Sequence, residues 1–220
     1  MREEVLEAIM TTRAIRRYSD QPVTDDEVLT CLRAAQQAPS GGNVQVAQYV
    51  VVTDPTVKAT VADLYRRAYE RYEKTLPDGS AFKTPEEATS WERGRAASTY
   101  LAEHLADAPV LVVFLLPLLP WTPSDEEGPM DIGPLYASVY PAVQNFCVAA
   151  RALGIGTTLT TVVRIHSDEV LATLGVPEGR FEIAALVPMG RPAGRFGVAM
   201  RKPVESRTHW NRFGDKRPAG

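Results

Sequence analysis

The stretch APSGGNVQVAQYVVVT, Ala38–Thr53, joins a polar loop carrying two glycines to a β-branched run that reads as a strand from about Gln45 to Thr53. Gly41 and Gly42 have no Cβ to hold a flat or bulky ligand away from the main chain. Asn43 and Gln45 stand two apart, so an extended backbone would point both amides to one side. An amide both donates and accepts, which suits a ligand edge with alternating donors and acceptors. The plainer alternative is a hydrophilic loop that caps a strand.

Outward from this stretch the chain alternates helix and strand signals. Upstream, Val5, Leu6, Ile9 and Met10 at three-to-four spacing predict a short amphipathic helix over Glu3–Thr11. Thr24 with Glu27 three residues on is a capping-box signature, and that helix should stop before Pro39. Downstream, Asp54-Pro55 and Thr84-Pro85-Glu86-Glu87 each start a long helix, the first to about Thr75 and the second to about Ala106. The apolar run Ala108–Leu119 is broken by Pro109 and Pro117 and too short to span a bilayer, so it reads as a buried strand. Residues 117–134 hold five prolines and four acidic residues, a connection long enough for a lid or a partner contact. Helical spacing returns over Leu135–Leu153, with Pro141 marking either its start or a kink. Thr157–Val163 reads as a strand, Ser167–Leu174 as a short helix and Glu182–Met189 as the last strand. The pattern predicts an α+β domain over residues 1–220, with one sheet covered by helices, a helical excursion at about 55–106 and a Pro-rich acidic loop at 117–134.

Composition narrows the function classes. With 220 residues, 45% hydrophobic and a net charge of -3, the chain has the balance of an ordinary globular domain rather than a nucleic-acid binder. The acidic start MREEVLEAIM lacks the pattern of a secretion signal, and no run suits a membrane span, so a cytoplasmic protein is expected. Cys31 and Cys147 lie among apolar residues at helical spacing and are expected to be buried free thiols. The three histidines are far apart and no Cys/His spacing suggests a metal. Gly154-Ile155-Gly156 follows a helix and precedes a strand, the reverse of a dinucleotide fingerprint.

The arginine cluster carries more chemistry. Arg13, Arg16 and Arg17 fall within five residues, and Arg13 and Arg16 could converge on one anion, since the guanidinium fork matches phosphate oxygens. A solvated surface run is the alternative. Arg201-Lys202-Pro203 could add a phosphate contact from the other end of the chain.

Taken in order, these blocks resemble the nitroreductase family of FMN oxidoreductases. The arginine cluster comes before Tyr18 and a D-Q-P-V turn, and a helix leads to A-P-S-x-x-N-x-Q and a hydrophobic strand. Then follow PAVQNFCVAARALGIGT with TLTT, VPMGRPA and RKPVESRTHW. The resemblance covers most of the chain except roughly 55–106 and 117–134. It implies an α/β/α sandwich with a central, mainly antiparallel sheet, and an intertwined homodimer that holds FMN in two clefts at the subunit interface. Arg13 and Arg201 match phosphate-binding positions, with Ala14 in the same block and Arg17 or Lys202 available to compensate for contacts it lacks. Arg16 matches the cation near the flavin N1 and O2 edge, where a fixed charge stabilises the reduced ring. Ser40, Gly41, Asn43 and Gln45 belong to the loop that addresses the ribityl chain and ring edge. Leu159, Thr160 and Thr161 match the segment whose backbone lies against the isoalloxazine, with an N–H near N5.

The same resemblance implies turnover by ping-pong hydride transfer. NAD(P)H, whether NADH or NADPH, reduces the flavin, and a small electron-poor acceptor (a nitroaromatic, quinone or activated alkene) takes its place. No residue stands out as a general acid or base. Dehydrogenation or dehalogenation of a specific metabolite is a second reading, and flavin sequestration without turnover a third. Two departures stand out. Many relatives read R-R-S where this chain has Thr12-Arg13-Ala14, and Q-P-W where it has Gln45-Val46-Ala47. Acceptor selectivity is expected from Tyr65, Tyr69 and Tyr72 and from the 117–134 loop with Trp121, although tyrosines at helical spacing also serve as packing.

Overall fold

The computed structural model describes residues 2–119, 122–131 and 133–217. In chain order the elements are α1 (Arg2–Thr11), α2 (Asp25–Gln36), β1 (Gln48–Val52), α3 (Pro55–Glu73), α4 (Pro85–His104), β2 (Val110–Pro117), β3 (Ser124–Asp125), β4 (Gly128–Pro129), α5 (Tyr140–Ala152), β5 (Gly156–Thr157), α6 (Ser167–Thr173) and β6 (Phe181–Gly190). The four-stranded sheet runs β1-β2-β6-β5, every pair antiparallel, and β3 and β4 form a small separate hairpin within the Pro-rich connection.

Strand β2 shows why this sheet needs helices on both faces. Its successive side chains point alternately up and down. Val110, Val112, Phe114 and Leu116 pack with Val28, Cys31 and Ala35 of α2 and Val143, Phe146 and Ala150 of α5. Leu111, Val113 and Leu115 pack on the other side with Val61, Leu64 and Tyr65 of α3 and Leu101 of α4. A strand apolar at every position is stable only when buried on both faces, and this one is. Opposite Phe114 and Leu115 the register of β6 slips by one residue at Ala184. That bulge turns Ile183 and Leu186 to the α3 face while Ala185, Val187 and Met189 keep to the α2/α5 face.

The helix starts follow their sequence signals. Thr24 accepts from the Glu27 N–H and the Glu27 carboxylate accepts from the Thr24 N–H, completing the capping box. Asp54 caps α3 and Thr84 caps α4, each with proline in the first turn. Pro141 likewise sits in the first turn of α5, so that helix begins at Tyr140 and the residues before it form a 3₁₀ turn, Leu135–Ser138. Cys31 and Cys147 are buried and unbridged, and burial pushes the Cys31 thiol up to about 12.

Two expected strands are corrected. The strand after the glycine loop starts at Gln48 rather than Gln45, because Gly41–Asn43 form a 3₁₀ turn and Asn43 and Gln45 have φ of 55° and 49°. The two amides are therefore not on an extended backbone. Thr157–Val163 is not a continuous strand either. Thr157 pairs with Met189, Thr160 bridges Leu186, and Val162–His166 turn into a 3₁₀ helix. Trp121 lies outside the described residues, so its expected place beside the cleft has no structural counterpart here.

Candidate flavin site

The arginine segment is stitched to the outer edge of the sheet. Ala14 bridges Thr157, the Ile15 N–H donates to the Thr157 carbonyl at 2.8 Å, and the Thr158 hydroxyl donates to the Ile15 carbonyl. The approach is close enough that a Cβ on Gly156 would stand 2.7 Å from Ile15, so only glycine fits there. Further along, Tyr18 is anchored by its hydroxyl to the Ile15 carbonyl at 2.7 Å and the Pro188 carbonyl at 3.1 Å. Burial raises the Tyr18 pKa, which keeps it a donor.

Arg16 stands between two cavities. The larger, of about 540 Å³, is walled by α3 and α4 through Tyr65, Tyr69, Tyr72 and Trp91, and by Thr158, Leu159 and Thr160 on the sheet side. The smaller, of about 390 Å³, is lined by Arg13, Ala14, Arg16, Arg17 and Arg195. Among the described residues no carboxylate pairs with any of these four guanidinium groups, whereas Arg66, Arg95, Arg151, Arg164 and Arg191 all have acidic partners. A concentration of unpaired cations around a cavity is an anion site by its electrostatics.

The Leu159–Thr161 segment presents backbone donors to the same space. Thr158 and Thr160 spend their N–H groups on the Pro188 and Leu186 carbonyls of β6. Leu159 and Thr161, which alternate with them, are exposed and their N–H groups have no partner among the described residues. An N–H that meets a ligand here belongs to Leu159 or Thr161, not to Thr160. Thr160 is fixed instead by its side chain, 3.2 Å from the Tyr65 hydroxyl of α3. Tyr65 and Tyr69 thus both pack in the core and face the cavity, so the packing and cavity-wall roles are not alternatives.

The glycine loop lies elsewhere in the chain. Its amides form a relay: Tyr49 Oη donates to Gln36 Oε1 (3.0 Å), Gln36 Nε2 to Gln45 Oε1 (3.2 Å) and Gln45 Nε2 to Asn43 Oδ1 (3.3 Å). Asn43 and Gln45 do share one side, held there by each other rather than by strand geometry. The Ser40 Oγ accepts from the Gln45 N–H, and the Gly41 N–H reaches Ser138 Oγ at 3.1 Å. This loop enters β1 at Gln48, level with Leu115 and Ile183, on the sheet edge opposite β5. From there to Thr157, level with Met189, is roughly 20 Å along the strands and roughly 14 Å across three strand spacings. Within one chain the loop does not meet the arginine segment.

Arg201 joins neither cavity. It is exposed and donates to the Met200 carbonyl at 3.0 Å, while Lys202 lies 3.6 Å from Glu87 of α4. Arg195 is the cation that the tail brings to Arg13. No local sequence pattern marks it, because its position depends on how residues 191–195 fold back.

The model of the nitroreductase family matches residues 9–191, and the chain belongs to that family. It is 27% identical over 184 residues to the FMN reductase [NAD(P)H] of Bacillus subtilis (strain 168), an alignment covering 84% of this chain and 64% of that one. Among solved structures, a BluB-like flavoprotein from Clostridium difficile 630 superposes with a TM-score of 0.71 at 22% identity, covering 94% of this chain and 99% of its own. An iodotyrosine deiodinase bound to FMN and 3-iodo-L-tyrosine superposes with a TM-score of 0.71 at 19% identity, covering 95% and 100%. At these identities the superpositions establish the fold, the helix-covered antiparallel sheet that the sequence implied. The chain spans 42%, 64% and 36% of the length of three curated relatives that it matches.

Proposed function

We propose that the chain is an FMN-dependent NAD(P)H oxidoreductase, acting as a homodimer on small electron-poor acceptors such as nitroaromatics, quinones or activated alkenes. The observation that carries this reading is Arg16, an unpaired cation shared by an arginine-lined cavity and an aromatic-walled one. The residues present fit FMN. Unpaired guanidinium groups suit its phosphate, and the free N–H groups of Leu159 and Thr161 suit the polar edge of a flat ring. The chemistry supplied by bound FMN is acceptance of hydride from NAD(P)H and its delivery to the acceptor. In this scheme the chain's residues bind, orient and stabilise charge, and none is assigned as a general acid.

A second copy of the chain completes the cleft in this reading, because the Ser40–Gln45 loop is diagonally across the sheet from the arginines. Exposed apolar side chains support such a partner. Val5, Leu6, Ile9 and Met10 of α1 are all about half exposed or more, as are Val198, Met200 and Val204 of the tail. Arg201 remains proposed as a phosphate contact only through a rearranged tail in that assembly. The cytoplasmic setting is part of the proposal and is supported by the two unbridged buried thiols. No helix among the described residues is long and apolar enough to cross a membrane.

The likeness to iodotyrosine deiodinase favours a second reading, dehalogenation of a specific metabolite. The charges on the cavity wall weigh against an amino-acid zwitterion, which needs an unpaired anion as well as a cation. Arg95 is engaged by Glu73 at 3.2 Å and Glu87 by Lys202 at 3.6 Å, leaving Arg16 the unpaired charge on the cavity wall. A flat, electron-poor ring with one oxygen substituent that accepts a hydrogen bond is the better match. Reduction of nitrofurazone or menadione with NADPH or NADH is expected to exceed that of 3-iodo-L-tyrosine in kcat/KM by at least about tenfold, about 1.4 kcal/mol. The opposite order assigns the site to dehalogenation.

A further inference from the structure

The Thr12-Arg13-Ala14 block offers a single guanidinium, yet the smaller cavity is richly cationic. The backbone shows where the charge comes from. After β6 the chain runs back antiparallel to the arginine segment. Pro192 bridges Tyr18, the Ala193 N–H donates to the Arg17 carbonyl at 3.0 Å, and the Ser19 N–H donates to the Arg191 carbonyl at 2.8 Å. Beyond this pairing the chain bends at Ala193 and Gly194, and Arg195 lines the same cavity as Arg13 and Arg17.

Arg17 is held from the other side by α4. Its guanidinium carbon lies 3.5 Å from the centroid of the Tyr100 ring, and the same ring stacks on His104 at 4.1 Å. Two groups that close cannot share one face, so Tyr100 is clamped between them. His104 is in turn tied to Asp107 at 3.0 Å. A cation fixed over an aromatic face has lost most of its rotamer freedom before a ligand arrives.

We propose that Arg195 joins Arg17 as a ligand of the FMN phosphate, and that Tyr100 is the residue that positions Arg17. The inference rests on the flavin reading above. It makes recognition of the phosphate depend on α4, a helix outside the sequence blocks that carry the resemblance. A phosphate monoester near neutral pH carries close to two negative charges and three acceptor oxygens, which Arg13, Arg17 and Arg195 together satisfy.

The test is the affinity of the flavin-stripped full-length protein for FMN and for riboflavin, which lacks the phosphate, read by quenching of flavin fluorescence. Arg17→Ala, Arg195→Ala and Tyr100→Leu are each expected to weaken FMN binding about tenfold or more while leaving riboflavin within about twofold of wild type. Tyr100→Phe keeps the ring face and should bind both like wild type. Equal loss of both ligands, or undiminished FMN affinity in the arginine variants, overturns the proposal. A wild-type protein that binds FMN no better than riboflavin overturns it while leaving the flavin reading intact. A wild-type protein that binds neither removes the flavin reading itself.

Discussion

Arg16→Ala is expected to slow acceptor reduction by roughly a hundredfold while the protein still purifies with most of its FMN. The two halves of this result have separate causes. On the proposed reading, Arg13, Arg17 and Arg195 still line the phosphate cavity, so binding should survive. What is lost, on the proposed reading, is the cation at the junction of the two cavities, placed to stabilise charge as electrons pass. A fixed cation in a partly buried site stabilises that charge without reorganising at each turnover, which is why its removal weighs on rate more than on binding. Arg16→Lys should recover part of the rate, since the charge returns without the planar fork. Steady-state kinetics with menadione, normalised to bound flavin, decide it. A rate within about threefold of wild type would mean that Arg16 does not act on the reacting centre.

The largest effect on stability is expected at Phe114. It is fully buried in β2, with ring edges against Tyr49 of β1 (5.2 Å, 77°) and Phe146 of α5 (5.5 Å, 82°). Phe114→Ala removes both aromatic contacts and leaves a cavity between strand and helix. The expected cost is about 3–5 kcal/mol, a large share of the total stability of a typical domain. The damage should reach the glycine loop, because Tyr49 heads the hydrogen-bond relay through Gln36 to Gln45 and Asn43. Urea unfolding at one fixed protein concentration measures it. A loss below about 1 kcal/mol would mean that this aromatic contact is not a centre of the core.

Burial and capping were the legible parts of the fold. A strand apolar at every position, β2, has few other homes than the middle of a covered sheet, and Thr24, Asp54 and Thr84 announced their helices through local hydrogen bonds. The misreadings have physical causes too. Thr157–Val163 is β-branched enough for a strand, but its threonine hydroxyls are spent on Ile15 and Tyr65, and the chain leaves β6 after Thr160. Asn43 and Gln45 take positive φ, which asparagine tolerates readily and glutamine less so; nothing local marks Gln45 for it. The cationic cavity was half legible. Arg13, Arg16 and Arg17 are neighbours in sequence, whereas Arg195 and Tyr100 join them only through a strand return and a helix packing that no local pattern encodes.

If the arginine-lined and aromatic-walled cavities together serve a redox flavin, the absorption spectrum of the purified protein will show it. A flavin spectrum is expected that bleaches on anaerobic addition of NADPH or NADH and returns when menadione is added. A bound flavin that neither nucleotide bleaches, or a protein that takes up no FMN when it is supplied, would contradict it.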